Sequence, residues 1–315
     1  CSLQHLASER QAAYLERVER ENFRRLAHAD LPDDFVIHTG NPWGYRNRAR
    51  VASCGKRGFG FREQEGKELV PFENCPVLTP ALNEFLRGGA RTLAESGVRE
   101  LNVFDNGNGE ISYYYRGMPA EEFAKKSVSL VVIGGQKIEA DASVFFQSNL
   151  GLLPQLVESV QKAVDEGLKS GAASDGWLID LFSGVGFFAA ILQDRFKRVT
   201  TVEREEGCLA HAQVNLRGAD RENISAPAEE WLAQNVVNTP APPIVDPPRT
   251  GLPPQALDAI VKSSVNRLIY VSCDPVTLAR DYAKFAAAGF KLQKAEGFAF
   301  YPQTPHLEMM FVLNR

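Results

Sequence analysis

No apolar run in these 315 residues approaches the ~20 consecutive positions that a membrane-spanning helix requires. Cysteine is scarce and irregularly spaced: five residues, at 1, 54, 75, 208 and 273, do not make a disulfide scaffold. A reducing compartment is therefore expected, and with no signal peptide to be read the location is expected to be cytoplasmic. The first residue is Cys rather than Met, so the natural N-terminus is expected to lie upstream. Excess positive charge is missing too. Lys and Arg number 35 against 39 Asp and Glu, a net charge of −4, which excludes a surface coated in basic groups. There is no internal repeat and no low-complexity tract.

What is present fits a globular chain of two domains, with 44% hydrophobic residues and 23% charged. Residues 1–30 read as one long helix: Leu3, Leu6, Tyr14, Val18 and Leu26 alternate with charged positions, and neither Gly nor Pro appears before Pro32. From 33 to 72 the pattern shortens into glycine-broken strands at 35–38, 49–54, 59–63 and 68–72. A helix is expected over 78–96, with further strands at 101–104, 111–116 and 129–133. Within this half the segment 45–62 carries Arg46, Arg48, Arg50, Lys56, Arg57 and Arg62 and no acidic residue, a local patch suited to RNA phosphates or simply a solvated hairpin.

The second half changes grammar. An amphipathic helix over 152–168 and a polar link at 169–176 lead into the strand–helix alternation of a doubly wound sheet. Strands are expected at 177–181, 198–202, 244–245, 268–271, 290–296 and 308–313, the last two as an antiparallel edge pair. Residues 236–245 form a short, proline-heavy approach to a central strand. We expect a smaller α+β domain over 1–140 and an α/β catalytic domain over 141–315.

Four strand ends carry chemistry. Leu178-Ile-Asp-Leu-Phe-Ser-Gly-Val-Gly186 is an apolar strand running into a glycine turn and a helix. Gly184 and Gly186 let backbone pass close to a ligand at the helix N-terminus, but the third glycine of a dinucleotide fingerprint is absent. Glu203, at the end of the next strand, can accept both hydroxyls of a ribose. Asp180 is costly to bury without a donor and is expected to face the ligand or its loop. Such carboxylates suit a positively charged sulfonium, S-adenosylmethionine, better than a pyrophosphate. Further on, Asp246-Pro-Pro-Arg249 and Ser272-Cys-Asp-Pro275 each follow a strand, which points to a carboxylate and a nucleophilic thiol, Cys273, facing one pocket.

Five motifs in order then resemble the RNA 5-methyluridine methyltransferases: Phe145-Phe-Gln-Ser-Asn149, Asp180-Leu-Phe-Ser-Gly-Val-Gly186, Asp246-Pro-Pro-Arg-Thr-Gly-Leu252, Ser272-Cys-Asp-Pro-Val-Thr-Leu-Ala-Arg-Asp281 and Tyr301-Pro-Gln-Thr-Pro-His-Leu-Glu308. The resemblance implies a Rossmann-like class I methyltransferase domain, mixed and mostly parallel. It also implies methyl transfer from S-adenosylmethionine to carbon 5 of a uridine in structured rRNA or tRNA by a monomer. In that reading Cys273 adds to carbon 6 of the uracil, Glu308 removes the carbon-5 proton, and Asp246 binds the uracil edge and borders the cofactor. Gln147 touches the cofactor, with Asp180, Gly184, Gly186 and Glu203. Phe145 or Phe146 lies beside the target base, Arg249 partners Asp246 or meets a phosphate, and His306 positions rather than titrates. Two departures stand out: Phe187 where the family often has Asn, and Asp274 where many relatives have Asn. The resemblance further implies a [4Fe–4S] cluster, with Cys1 and Cys75 as two ligands and two more Cys expected upstream. Methylation of another base such as cytosine, or a non-catalytic RNA-binding protein, are the competing functions.

Overall fold

Eight strands build the sheet on which the three motif-bearing strand ends meet. In spatial order they are Val36–His38, Lys291–Phe298, Glu308–Asn314, Arg267–Ser272, Pro243–Val245, Trp177–Leu181, Arg198–Glu203 and Arg221–Ser225. The five strands from Arg267–Ser272 onward run parallel, while Glu308–Asn314 is antiparallel to both of its neighbours. All six residues of Arg267–Ser272 are buried, as expected of a parallel strand covered on both faces. The computed structural model describes residues 1–63, 66, 68–218, 220–235 and 243–315. Most of the proline-heavy approach at 236–245 lies outside the described residues.

The chain divides into two compact units, residues 1–40 with 152–315, and residues 41–151. The smaller unit precedes the strand–helix alternation, as expected, but the boundaries differ from a cut at 140. The first helix, Ser8–Ala27, belongs to the larger unit because its apolar face is used there: the Phe23 ring lies 5.0 Å from that of Tyr282 and 5.3 Å from that of Phe311. Val36–His38 then joins the large sheet as a parallel edge strand beside Lys291–Phe298. The core between sheet and helices includes Leu15, Leu31, Leu181, Val245, Leu257, Tyr270, Phe285 and Met309. Helix Leu153–Ser170 starts with Pro154 in its first turn and ends at Gly171 in the left-handed region, φ 74°.

In the smaller unit an antiparallel sheet runs in the order Leu69–Pro71, Phe59–Arg62, Arg48–Ser53, Glu100–Asp105, Ile111–Tyr114. The helix expected over 78–96 is two, Pro80–Arg87 and Arg91–Glu95, separated at Gly88-Gly89. A hairpin, Val128–Ile133 with Gln136–Asp141, completes the unit together with helix Ala120–Lys126. The basic segment is less free than its sequence suggests. Arg50 and Arg62 both lie against Glu100, delivered by the neighbouring strand, and Arg48 donates to the Ala142 carbonyl while its guanidinium lies 5.8 Å from the Phe104 ring.

Candidate active site

The carboxyl ends of the parallel strands of an open α/β sheet face one edge, where ligands bind. Here that edge gathers Phe182–Gly186 after Trp177–Leu181, Glu203 at the end of its strand, Asp246 after Pro243–Val245 and Cys273 after Arg267–Ser272. Glu308 arrives from the opposite direction. Its strand is antiparallel, so its first residue stands at the edge where the parallel strands finish, and the pairing of Ser272 with Met309 brings Cys273 to the level of Glu308.

At the glycine turn the sequence reading holds in part. Gly184 and Gly186 have φ of 53° and 72°, a region that a Cβ disfavours, and Phe182 just before them shares it at 60°. Glu203 fixes this turn: Oε2 accepts from the Gly184 amide at 2.9 Å, and Oε1 from the amides of Arg204 and Glu205 at 2.8 and 2.9 Å. Asp180 is fully buried. Its Oδ2 accepts from the Ala189 amide at 2.9 Å, capping helix Phe187–Leu192 from the strand below. Its Oδ1 and the nearby Ser183 hydroxyl are buried with no hydrogen-bond partner among the described residues. Burial, with Asp246 and Glu203 adding to it, raises the Asp180 carboxyl to about 8. Orphaned acceptors, two carboxylates and a strained glycine turn fit a cationic ligand with hydroxyls to donate.

At the thiol, burial and the neighbouring carboxyl groups work in one sense and Arg249 in the other. Cys273 is half-buried, and desolvation followed by the neighbouring Glu308 and Asp246 pushes its thiol up to about 12, while Arg249 pulls the other way. Desolvation and the neighbouring Asp246 also push the buried Glu308 carboxyl well above the usual range, and Arg249 again opposes. Desolvation alone raises Asp246, to about 7. These mutual influences join Cys273, Glu308, Asp246 and Arg249 in one electrostatic group, and Asp246 links it to Asp180. Just beyond the thiol, Asp274 caps helix Pro275–Ala287 by accepting from the Thr277 amide at 3.0 Å, so Cys273 precedes a helix N-terminus that favours a thiolate. The Asp at 274 thus performs the capping that an Asn would.

The remaining expected residues divide. Of the two aromatic candidates, Phe146 is 3% exposed and packs edge-on against Phe104 at 5.8 Å within the smaller unit, whereas Phe145 is 64% exposed. Gln147 is buried in the smaller unit and its side-chain oxygen has no partner among the described residues. His306 is exposed, with Tyr301 edge-on to its ring at 6.2 Å. Cys1 is exposed and Cys75 half-buried. Among the described residues no three His, Cys, Asp or Glu side chains are grouped to hold a metal, so the residues present do not make a cluster site. Two residues inside the quoted motifs were given no role from sequence, Asp281 and Gln303; both are buried and fully engaged, and only their being polar within apolar surroundings signals it.

Comparison with known proteins agrees with this geometry. A family described as tRNA (Uracil-5-)-methyltransferase matches residues 241–315. The 23S rRNA (uracil(1939)-C(5))-methyltransferase RlmD of Methylococcus capsulatus is 29% identical over 367 aligned positions, covering 100% of this chain and 80% of that protein. An uncharacterized RNA methyltransferase of Treponema denticola is 26% identical over 303 positions, covering 89% of this chain and 69% of its own length. Among solved structures, the tRNA (uracil-54, C5)-methyltransferase of Pyrococcus abyssi, in complex with S-adenosyl-L-homocysteine, superposes with a TM-score of 0.74 at 21% identity, over 99% of this chain and 85% of that one. The fold is the Rossmann-like fold of class I methyltransferases, and at family level the chain matches the uracil-C5 methyltransferases of tRNA and rRNA.

Proposed function

We propose that this protein is an RNA (uracil-5-)-methyltransferase that uses S-adenosylmethionine to methylate carbon 5 of a uridine in structured RNA through a covalent adduct on Cys273. The observation that carries the reading is the convergence of a thiol, two desolvated carboxyls and an arginine at one sheet edge, next to a glycine turn with orphaned acceptors. The donor supplies an electrophilic methyl group carried on a sulfonium. Gly184 and Gly186 would admit its methionine end and Glu203 its ribose hydroxyls, with Asp180 and Ser183 offering the unpartnered oxygens.

Uracil carbon 5 is a weak nucleophile, and Cys273 remedies this. Its thiolate adds to carbon 6, and the ring electron pair moves onto the carbon-4 oxygen as an enolate, from which carbon 5 gains its nucleophilicity. Asp246, kept partly protonated near neutrality by desolvation, can donate to the uracil edge while that charge develops. Carbon 5 would take the methyl group as the sulfonium–methyl bond breaks and a neutral thioether leaves; Glu308 then takes the carbon-5 proton, the electron pair re-forms the ring double bond, and the carbon–sulfur bond to Cys273 breaks to return the thiolate. A carboxyl raised by burial is a stronger base than an ordinary one, which suits this step. Arg249 offsets negative charge as the thiolate forms and departs.

RNA carrying 5-fluorouridine tests the reading. Fluorine cannot leave as a proton, so the methylated base should remain attached to Cys273, and a protein with C273A should trap none. Trapping of RNA by that variant at the wild-type yield would overturn the assignment. Labelled donor and unmodified RNA should give 5-methyluridine, and 5-methylcytosine as the product would select the competing base.

A further inference from the structure

The segment that carries Asp246 and Arg249 is held by the far side of the nucleophile's own helix. Three polar groups of that segment are gripped. The Arg249 carbonyl accepts from the Thr277 hydroxyl at 3.2 Å, the Thr250 carbonyl from the Arg280 guanidinium at 2.9 Å, and the Leu252 amide donates to Asp281 Oδ2 at 2.8 Å. Asp281, 1% exposed, is the hub. Its Oδ2 also accepts from the Tyr270 hydroxyl at 2.7 Å, and its Oδ1 accepts twice from Arg280, at 2.9 and 2.7 Å. Tyr270 lies three residues before Cys273 on the strand that presents it. Thr277 closes the other side, since its hydroxyl and amide both bond Asp274, the residue after the thiol.

Space is as tightly set as bonding. Gly251 has φ of 75°, and a Cβ there would stand 2.5 Å from Arg280, 2.6 Å from Asp281 and 3.1 Å from Thr277. The backbone at 251 lies close against the side chains of Thr277, Arg280 and Asp281, and any side chain there would have to displace them. One buried carboxylate thus ties together the strand before the nucleophile, the helix after it and the loop bearing the cation of the electrostatic group described above.

We propose that Asp281, with Thr277 and Arg280, is a positioning clamp that sets the approach of Arg249 to the Cys273 sulfur. Asp281 touches no reacting atom; it acts through the loop. The Arg249 side chain is exposed, so the reach of its guanidinium is governed by where its backbone is pinned. Arg249 opposes the upward push on the thiol, so a slackened clamp leaves Cys273 harder to ionise. This rests on the assignment of Cys273 as nucleophile, but its test does not require methyl transfer.

The experiment measures alkylation of Cys273 by iodoacetamide against pH in the RNA-free protein, read at that residue by peptide mass spectrometry, for wild type, D281N, T277V, R249Q and the double variant D281N/R249Q. R249Q should move the alkylation midpoint upward, and D281N and T277V should move it in the same direction by at least about half a pKa unit, a roughly threefold slower reaction at a fixed pH below the midpoint. In the R249Q background, D281N should add nothing, because the path from clamp to sulfur runs through Arg249. A D281N effect that persists undiminished without Arg249, or folded D281N and T277V whose midpoints match wild type while only their melting falls, would overturn the proposal and leave Asp281 a structural residue. Should D281N not fold, T277V, which removes one hydroxyl from a half-buried site, decides alone. A shifted midpoint in a protein that proves unable to methylate any RNA would remove the methyltransferase reading and leave the clamp standing.

Discussion

Gln11 and Gln303 exchange two hydrogen bonds across 292 residues of chain: Gln11 Nε2 donates to Gln303 Oε1 at 2.9 Å, and the Gln303 amide donates to Gln11 Oε1 at 3.0 Å. The Gln303 carbonyl accepts from the Leu3 amide at 2.9 Å, and its Nε2 donates to the Ser8 hydroxyl at 3.2 Å. Every polar group of Gln303 is thus held by the N-terminal segment. Gln303 is 1% exposed with φ of 70°, in the turn that leads into Glu308. The first helix therefore helps to place the proposed base. Q303A should cost about 1–3 kcal/mol in stability from the buried groups left unpaired. Turnover should fall while donor affinity stays; melting curves, steady-state rates and titration calorimetry check each part, and unchanged turnover in the folded variant would count against it.

Glu308 and Cys273 should separate by kinetics. C273A should lose turnover by a factor on the order of 10³ or more, as removal of a nucleophile does. E308Q should instead complete about one methyl transfer per protein and then stall with RNA attached, because proton removal follows methylation. A single-turnover experiment with labelled donor distinguishes them; steady multiple turnover by E308Q would take Glu308 out of the base role.

Glu203 serves two ends. E203A should weaken donor binding by at least about tenfold, from the loss of charge-assisted hydrogen bonds worth about 1.5–3 kcal/mol each. With three backbone amides bonded to this carboxylate, the ligand-free melting temperature should fall as well. Calorimetry and melting of the same sample test both.

Asp180 gives a pH signature. Its carboxyl is raised from 3.8 to about 8 in the fold, so the folded state prefers it protonated. That preference favours folding fully below the unfolded value and is lost as pH rises from about 4 through about 8, by roughly 1.4 kcal/mol per pKa unit traversed. D180N keeps an oxygen for the Ala189 amide and cannot ionise. The ligand-free variant should show a flatter stability curve over that window and match or exceed wild type at its alkaline end. Denaturant titrations at several pH values measure this, and parallel curves would refute the buried-carboxyl account.

RNA binding should draw on the cations of the smaller unit that have no acidic partner among the described residues. Glu100 already neutralises Arg50 and Arg62, and Arg48 is packed on Phe104, so the exposed turn residues Lys56 and Arg57 are the better probes. Reversing both should weaken RNA binding across sequences, with donor binding spared. The salt slope should become shallower by roughly 0.7–0.9 for every phosphate that is no longer neutralised. An unchanged slope would assign this turn to protein surface.

Sequence by itself determined the alternation of strands and helices in the second half and the glycine turn, and it supplied the residues proposed to carry the chemistry. These are local: a buried strand must be apolar, and a turn with positive φ favours glycine. Strand Arg221–Ser225 escaped notice because an edge strand needs no apolar run; its five residues are Arg, Glu, Asn, Ile and Ser. Only the tertiary structure decided what depends on partners far along the chain. Phe145 and Phe146 are identical in type and differ only in which one the Phe104 ring covers. Arg50 and Arg62 lie in a segment without acids, yet strand pairing sets Glu100 opposite Ala52, within reach of both. Likewise a long first helix reads the same whichever unit its apolar face joins, and Asp281 and Gln303 look like any polar residue until folding surrounds them with donors. Hydrogen-bond partnership across hundreds of residues leaves no periodic trace, whereas burial of a strand or helix face does.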